Sequence, residues 1–452
     1  MRPITSESAL SSWFRVNTET STSSQELFGH PRGLFVLFMT EMWERFSFYG
    51  IKAVLLPYMV AKIAEGGLGW ENSKAGPIFG LFAGSAYLVG LAGGWIADNL
   101  LGPRNSVFVG GLFISAGNVL LALGSEPLLY FGLTMIALGT GLLKTNVSTM
   151  VGALYSEKDP RRDAGFSIFY MGINTGALLA PIVVSYLSLW FGWRMGFWAS
   201  AVAMILGLVQ YRWSMSTLGE AGKPAKLANK TSTPSAAFTR TEWLRLGAIA
   251  VFFLFSATFW AAFEQSSTTL NLFASDMSRK DLFGISIPPT LLQSANSLFI
   301  IGLAPVISAL WLWLGDRQPS SPIKFAIGLG GASAGFWVAA YAASLTTAGR
   351  VSLGWLLLVY FFHSIGELCL SPVGLSMTTK LAPPRIAGLM MGVWFSSIAA
   401  GNYIAGFIAG SFKADATTLV PLFGWVAAVT LAAAAVLVGL TPFLKKLMGE
   451  VK

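Results

Sequence analysis

Long apolar stretches alternate with short polar turns along most of the chain. Twelve stretches of about 20 residues or more are separated by segments rich in Gly, Pro, Lys and Arg. An α-helix needs about 20 apolar residues to cross a bilayer, whereas barrel strands are half as long and alternate in polarity. The pattern therefore predicts an all-α polytopic membrane protein with spans at 31–60, 76–97, 105–124, 128–152, 166–189, 194–216, 243–272, 290–314, 322–344, 353–381, 386–411 and 418–445.

The composition agrees with a lipid-facing surface. Hydrophobic residues make up 54% of the chain and charged residues 11%, against about a quarter charged in soluble domains. Residues 1–28 are rich in Ser and Thr and lack an apolar core, so they are interpreted as a cytoplasmic tail rather than a secretory signal. The single Cys369 excludes an intrachain disulfide.

The basic residues are distributed unevenly between the two sides that the spans define. Twenty of the 30 Lys and Arg residues fall on the side of the N-terminus and seven on the other side. Cytoplasmic loops of membrane proteins carry the excess of Lys and Arg. We therefore expect both termini in the cytoplasm and the protein in the cytoplasmic (inner) membrane. The net charge of +9 is then a topology signal rather than a nucleic-acid surface.

The spans divide into two sets of six around a polar basic segment. Gly94–Arg104, after the second span, resembles the loop signature of the major facilitator superfamily, although Asn99 stands where Arg is common. Two six-helix bundles that rock around a site near the bilayer midplane are typical of such transporters. The predicted units are an N-terminal tail (1–30), an N-terminal bundle (31–216), a cytoplasmic linker (217–242), a C-terminal bundle (243–445) and a C-terminal tail (446–452).

A few ionisable residues lie inside the predicted spans. Each costs at least roughly 2.5–3.5 kcal/mol on insertion scales, so each must be paired or face a water-filled cavity. Such residues are candidate functional residues by default. They are the bases Arg45, Lys52 and Lys144 and the acids Glu41, Glu44, Glu264 and Glu367.

The first span carries most of this charge on one helical stripe. Glu41, Glu44, Arg45, Phe48 and Lys52 follow each other at i, i+3, i+4, i+7 and i+11, so we expect the stripe to face the interior of the bundle. Glu41 and Arg45 are spaced to pair, which would leave Glu44 without a local cation. A buried carboxylate that gains and loses a partner can carry a proton. A static ion network that fixes helix packing is the alternative.

Several segments together resemble the proton-dependent oligopeptide transporter family of the major facilitator superfamily. Glu41–Gly50 is similar to the family's Glu-x-x-Glu-Arg-Phe-x-Tyr-Tyr-Gly signature. The resemblance implies the major facilitator fold and proton-coupled uptake of di- and tripeptides, and of peptide-like drugs, by a monomer without a cofactor. The further matching segments are Gly139–Ser148, Phe169–Asn174, Phe259–Gln265, Gly366–Ser376 and Met391–Phe395.

The resemblance also implies a central binding site. Lys144 and Lys52 would hold the peptide carboxylate, and Glu367 with Asn174 and Asn296 would hold the amino end. A zwitterion gripped in this way requires the two bundles to close on it. Glu41, Glu44 and Arg45 would couple protons, and Glu264 would pair with Lys52 or Lys144 in an outer gate. The implied lining residues are Tyr49, Tyr87, Trp260, Trp394 and Ser371, although for Ser371 we favour a hydroxyl bonded within its own helix over a ligand group.

The chain departs from the family pattern at several positions. Phe48 stands where the family usually has Tyr, and Lys52 replaces an Arg, so the bidentate fork for a carboxylate is lost. Thr145 stands where Pro is common, and the short linker leaves no room for two extra helices found in many bacterial members. His363 has no family counterpart, and we interpret it as a packed or cavity-side residue.

The sequence also bears on two other classes of function. A membrane-embedded enzyme would need a nucleophile with a base or a metal cluster, and one Cys with two distant histidines supplies neither. A carrier of nitrate or another small anion of the same superfamily is the nearer alternative. Such carriers commonly lack the first-span acids and the tenth-span Glu, whereas Glu41, Glu44 and Glu367 are present here.

Overall fold

A computed structural model describes residues 26–156, 159, 161–223, 238–282, 284–383 and 386–449. Two short antiparallel hairpins, β1 (Glu26–Leu27) with β2 (His30–Pro31) and β3 (Asp281–Leu282) with β4 (Ile285–Ser286), accompany the helices. The helices are α1 (Arg32–Val60), α2 (Asn72–Ile96), α3 (Pro103–Leu123), α4 (Glu126–Ala153), α5 (Arg162–Phe191), α6 (Trp193–Ser214), α7 (Arg240–Phe263), α8 (Thr269–Met277), α9 (Gln293–Leu314), α10 (Ser321–Leu345), α11 (Gly354–Leu381), α12 (Ala387–Ala409) and α13 (Ala416–Met448).

The predicted twelve-span fold is confirmed. In the described part of the chain, ten helical segments are long and apolar enough to cross a membrane. Helices α1 and α6, of 29 and 22 residues, complete the twelve. Helix α1 carries more charged residues than a lipid-facing helix tolerates, because it turns them into the protein. The chain is a multi-pass membrane protein.

The seventh span is broken, which the sequence analysis did not predict. Helix α7 ends at Phe263, a 3₁₀ turn follows at Glu264–Ser267, and α8 continues the span from Thr269. The Gln265 side chain accepts hydrogen bonds from the hydroxyls of Thr268 and Thr269 at 3.0 and 2.7 Å. The segment contains neither Gly nor Pro to signal a break. Side-chain hydrogen bonds accompany the break instead, and Glu264 lies directly after the end of α7.

The helices pack as two halves, α1–α6 and α7–α13. In the first half, α1 packs on α5 and α6, and α3 on α4; in the second, α10 packs on α11 and α13, and α7 on α12. The halves meet chiefly where α2 packs on α12 and α5 on α9. We call the side on which α1 begins the inner side and the side on which it ends the outer side.

Small residues bring α2 and α12 into backbone contact toward the outer side. A Cβ added at Gly80 would lie 2.8 Å from the carbonyl oxygen of Asn402, and one at Gly84 would lie 2.8 Å from that of Ala399. A Cβ at Gly76 would meet the carbonyl oxygen of Gly406. Because the backbones touch, this seam leaves no space between the halves here.

The seam predicts a steric test. Gly80→Val should favour conformations in which the outer side is open, since overpacking a close contact costs about 1–3 kcal/mol, or roughly five- to a hundredfold in population. The measurement is the rate at which an impermeant maleimide labels Ser185→Cys, a position buried near the outer side. Gly439→Val, with no atom within 4 Å of its added Cβ, is the matched control. Equal labelling of both variants would contradict a closed seam.

Part of the predicted N-terminal tail is folded. The β1–β2 hairpin places His30 Nδ1 2.8 Å from the Tyr155 hydroxyl, and Arg161 Nη1 donates to Glu26 Oε1 at 2.8 Å. Arg161 also donates to Asp159, and these hydrogen bonds hold the pKa of the Asp159 carboxyl below its usual range. Residues 26–31 therefore extend the first half, whereas residues 1–25 of the predicted tail lie outside the described residues.

The beginning of the predicted linker is also fixed to the first half. Arg104, the last residue of the facilitator-like loop, donates from Nε to the Ala221 carbonyl at 2.6 Å and from Nη2 to the Gly219 carbonyl at 2.5 Å. Its amide donates to Gly222 O at 3.1 Å, and its carbonyl accepts from the Tyr211 hydroxyl at 3.2 Å. We call these contacts the Arg104 clamp. Residues 224–237 of the linker lie outside the described residues.

Candidate functional site

The charged stripe of α1 faces the interior, as predicted. Glu41, Glu44 and Arg45 are 2%, 0% and 2% exposed. Arg45 Nε lies 3.2 Å from Glu41 Oε1 and also contacts Glu44 Oε2. The expectation that Glu44 lacks a local cation is therefore wrong. Helical spacing favours the i,i+4 pair, but the guanidinium lies between both carboxylates, and Thr140 Oγ1 adds a hydrogen bond to Glu44 at 3.5 Å.

This cluster keeps unused hydrogen-bonding capacity. Glu41 Oε2 and Arg45 Nη2 are buried without a hydrogen-bond partner among the described residues. A buried polar group without a partner is costly, so such groups mark places where a proton, water or ligand binds. The Phe48 ring fills the space along the stripe, with its centroid 5.3 Å from Arg45 Cζ and 6.0 Å from Lys52 Nζ. Here a Tyr would add a hydroxyl between two cations.

A buried ion pair joins the halves above this cluster. Lys52 Nζ from α1 lies 2.5 Å from Glu264 Oε2, at the break between α7 and α8. Asn402 of α12 donates to the other carboxylate oxygen at 3.1 Å. The two partners that the sequence left open for Glu264 are thus resolved in favour of Lys52. Breaking such a pair by removing one partner leaves an uncompensated buried charge.

Further hydrogen bonds between the halves surround the ion pair on its outer side. Asn271 Nδ2 donates to the Ala53 carbonyl at 2.9 Å, and the Thr290 hydroxyl lies 2.6 Å from that of Ser185. Ser294 donates to a carbonyl of α5 at 2.7 Å. Together with the α2–α12 seam, these contacts close the outer side of the interface between the halves.

Lys144 of α4 has no carboxylate within 4 Å among the described residues. Its Nζ instead lies 3.9 Å from the ring centroid of Tyr87 and 5.5 Å from that of Phe395. Tyr87 belongs to α2 and Phe395 to α12, so aromatic rings from both halves flank the ammonium group. A cation held by ring faces alone remains available for an anionic ligand group.

Glu367 of α11 lies at a second polar cluster, in the second half. Asn296 Nδ2 donates to Glu367 Oε2 at 3.1 Å and to the Ser364 hydroxyl at 3.0 Å. Asn174 instead donates to the Tyr170 carbonyl of its own helix at 2.9 Å, so the structure does not join it to this cluster. The predicted Ser371 is half-buried one helical turn after Glu367.

The predicted aromatic residues lie in different environments. Trp260 is buried one turn before Glu264, and its Nε1 has no partner among the described residues. Tyr49 packs edge to face on Phe48, with centroids 5.6 Å apart. The Trp394 ring packs instead on Gly374 and on Phe325. Trp394 thus lies between helices of the second half rather than beside the charged residues.

His363 occupies a packed position. It is 0% exposed, and its ring lies 5.1 Å from that of Phe336 and 6.2 Å from that of Phe263. A Cβ on Gly335 would meet the imidazole at 2.6 Å. These contacts agree with the packed interpretation. Cys369, on the same helix, is also buried.

Some residues of the site were missed from the sequence. Asn402 binds Glu264, Ser364 accepts from Asn296, and Phe395 lies against Lys144. Asn402 could have been found, because a carboxamide in an apolar span usually hydrogen-bonds to a polar group of a neighbouring helix. Ser364 and Phe395 carry no such signal, since small hydroxyls and aromatic rings are common in membrane helices.

The arrangement places complementary charges on opposite halves. Arg45 and Lys144 come from the first half, and Glu367 from the second. A ligand with one charge of each sign could contact both only between the halves. Glu264 pairs with Lys52 across the same interface. Helix α1, which helps to close the interface, therefore also carries charged groups that a ligand could contact.

Comparison with known proteins identifies the family. The model of the POT family matches residues 104–230 and 220–426. The chain is 38% identical to the peptide transporter YePEPT of Yersinia enterocolitica, covering 96% of this chain and 99% of that one. It is 34% identical to the di-/tripeptide transporter of Lactococcus lactis subsp. cremoris, with 95% and 99% covered.

Solved structures agree over the full fold. The crystal structure of a peptide transporter POT in complex with alafosfalin superposes with a TM-score of 0.88 at 39% identity, covering 94% of this chain and 97% of that one. A POT family transporter in complex with 5-aminolevulinic acid gives a TM-score of 0.86 at 32% identity, with 93% and 98% covered. Sequence and fold agree, and the chain belongs to the POT family of transporters.

Proposed function

We propose that this protein is a proton-coupled symporter that takes up di- and tripeptides by alternating access. The observation that carries the proposal is the placement of Lys144 and Glu367 on opposite halves, where neither has an oppositely charged side chain within 4 Å among the described residues. Peptides carry a carboxylate and an ammonium group, which match these residues. The relatives named peptide transporter and di-/tripeptide transporter, and the solved peptide transporter in complex with alafosfalin, support the same substrate class.

The closed outer side corresponds to one stage of the transport cycle. The excess of basic loop residues supports a cytoplasmic inner side, and in that orientation the Lys52–Glu264 pair acts as the outer gate. A proton or peptide that reaches the Glu41–Glu44–Arg45 cluster changes its charge balance and biases the halves toward one conformation. We propose further that the protein acts as a monomer of the inner membrane, with protons as the coupling ion and without a cofactor.

The test is counterflow of labelled dialanine in proteoliposomes, with and without a proton gradient. Exchange without a gradient, and accumulation only with one, are the expected results. Counterflow of labelled nitrate without counterflow of dialanine would instead favour the anion-carrier alternative. Product formation without translocation would favour an enzyme.

Glu41→Gln and Glu44→Gln should stop uphill uptake while leaving peptide exchange partly intact. Exchange needs the binding site but no net proton movement, whereas accumulation needs a carboxylate that binds and releases a proton. The two assays are run on the same proteoliposomes. Glu126→Gln, which changes a half-exposed carboxylate at the outer surface, is the control. Full accumulation by both α1 variants would show that the proton is carried elsewhere.

Glu367→Gln should weaken dialanine binding about tenfold or more. A carboxylate facing an ammonium contributes on the order of 1.5–3 kcal/mol through a charge-assisted hydrogen bond, and an amide keeps the shape but not the charge. The measurement compares dialanine with N-acetyl-dialanine on both proteins. Acetylation should lower the affinity of the wild type far more than that of the variant. An equal loss of affinity in both proteins would mean that another group recognises the amino end.

A further inference from the structure

A cavity opens on the inner side of the second half, away from the charged groups described above. Its volume is about 870 Å³, which is within the range of small-molecule sites. It lies under the α9–α10 loop, between the inner parts of α11 and α13. Nothing in the proposed transport cycle uses this cavity.

The cavity is lined by positive charge from three helices. Lys324 belongs to α10, Lys380 to α11 and Lys445 to α13, and no carboxylate occurs among its described lining residues. Lys324 Nζ lies 4.6 Å from the Trp311 ring centroid and 2.8 Å from Gln318 Oε1. Three lysines from three helices around one cavity give it a positive potential that attracts an anion.

The N-terminus of α10 lies at the same cavity. Helix α10 has 25 residues, and its N-cap Ser320 makes no side-chain capping bond. The Ser320 hydroxyl is buried without a partner among the described residues, and Ser320 to Lys324 all line the cavity. The first turn of a helix and its dipole favour an anion, and phosphate is among the groups that such helix ends bind.

The surroundings of the cavity are those of the membrane interface. Leu312 and Trp313, at the inner end of α9, are 82% and 81% exposed. Tryptophan is enriched at the headgroup level of bilayers, and basic pockets between helices at that level bind anionic headgroups. A free phosphate would need none of these exposed apolar groups, whereas a lipid would use them for its acyl chains.

We propose that this cavity binds the phosphate headgroup of an anionic phospholipid. The headgroup contacts the three lysines and the first turn of α10, and the acyl chains lie along the exposed end of α9. One wall of the cavity is Pro372, Val373 and Ser376 of α11, the helix that carries Glu367 on the other side of the proline. The bound lipid therefore ties the inner part of α11 to α10 and α13. This inference does not depend on the transported substrate.

The test is binding of phosphatidylglycerol to the purified full-length protein in a neutral detergent. Each lysine near a phosphate is worth about fivefold in affinity, so Lys324→Gln/Lys380→Gln/Lys445→Gln should bind phosphatidylglycerol roughly a hundredfold more weakly than wild type. Lys62→Gln/Lys280→Gln/Lys413→Gln removes the same charge from exposed positions on the outer side and should keep wild-type affinity. Phosphatidylcholine of the same chain length should bind all three proteins equally weakly.

A second variant separates binding from folding. Ser321→Glu adds a carboxylate to the first turn of α10, where it favours the helix through its dipole but occupies the anion position. It should lower phosphatidylglycerol affinity without lowering the thermal stability of the lipid-free protein. Equal weakening by the inner and outer triple variants would overturn the site. Inorganic phosphate that binds as tightly as phosphatidylglycerol and displaces it would overturn the lipid assignment.

Discussion

Lys144→Ala should abolish both counterflow and proton-driven uptake of dialanine. Lys144 is a partly buried cation of α4, and its ammonium group lies against the Tyr87 and Phe395 rings rather than a carboxylate. The peptide carboxylate is therefore its charge partner in the proposed cycle. Without Lys144 the bound peptide's carboxylate would lose a charge-assisted hydrogen bond but would still be desolvated. Together these effects weaken peptide binding by two or more orders of magnitude.

The control for this variant is Lys74→Ala. Lys74 pairs with Glu126 at 2.7 Å, but both side chains are almost half exposed, and such surface pairs contribute little. Transport by Lys74→Ala should equal that of wild type. Wild-type exchange by Lys144→Ala would remove Lys144 from the binding site.

Lys52→Met should open the outer side of the protein. It leaves Glu264, 4% exposed, with Asn402 as a hydrogen-bond donor but without its cation. Removing one partner of a buried pair costs about 3–5 kcal/mol. This raises the population of the open conformation relative to the closed one at least a hundredfold. The readout is faster labelling of Ser185→Cys by the impermeant maleimide, together with loss of uptake.

The double variant Lys52→Met/Glu264→Met separates the gate from general damage. Two apolar side chains leave no unpaired charge, so the outer side should close again and labelling should return toward the wild-type rate. Uptake should stay low, because Glu264 can no longer exchange partners. Identical labelling of wild type, single and double variants would show that the ion pair does not hold the outer side closed.

The fold could be predicted from the sequence because its determinants are local. Span length, loop polarity and the distribution of Lys and Arg each follow from the lipid environment, and a span of 30 residues offers few alternatives to a helix. The inward-facing stripe of α1 was predictable for the same reason, since Glu41 and Lys52 cannot face lipid. Such arguments need only the spacing of residues along one helix.

The partners within the site could not be predicted so well. Helical spacing gives the face of α1 but not the rotamer of Arg45, which contacts Glu44 as well as Glu41. The choice between Lys52 and Lys144 for Glu264 depends on how the halves meet. The ring contacts of Lys144 and the packed position of Trp394 likewise arise from packing between helices that lie far apart in sequence.

The Arg104 clamp determines where the polypeptide can be divided. Because Arg104 binds the carbonyls of Gly219 and Ala221, these linker residues belong structurally to the first half. Two separately expressed halves should therefore be divided after residue 223, not directly after α6 at Ser214. A protease site or fluorescent protein inserted at 219–222 would remove the Arg104 contacts. A reporter of the distance between the two halves should therefore be inserted after residue 223.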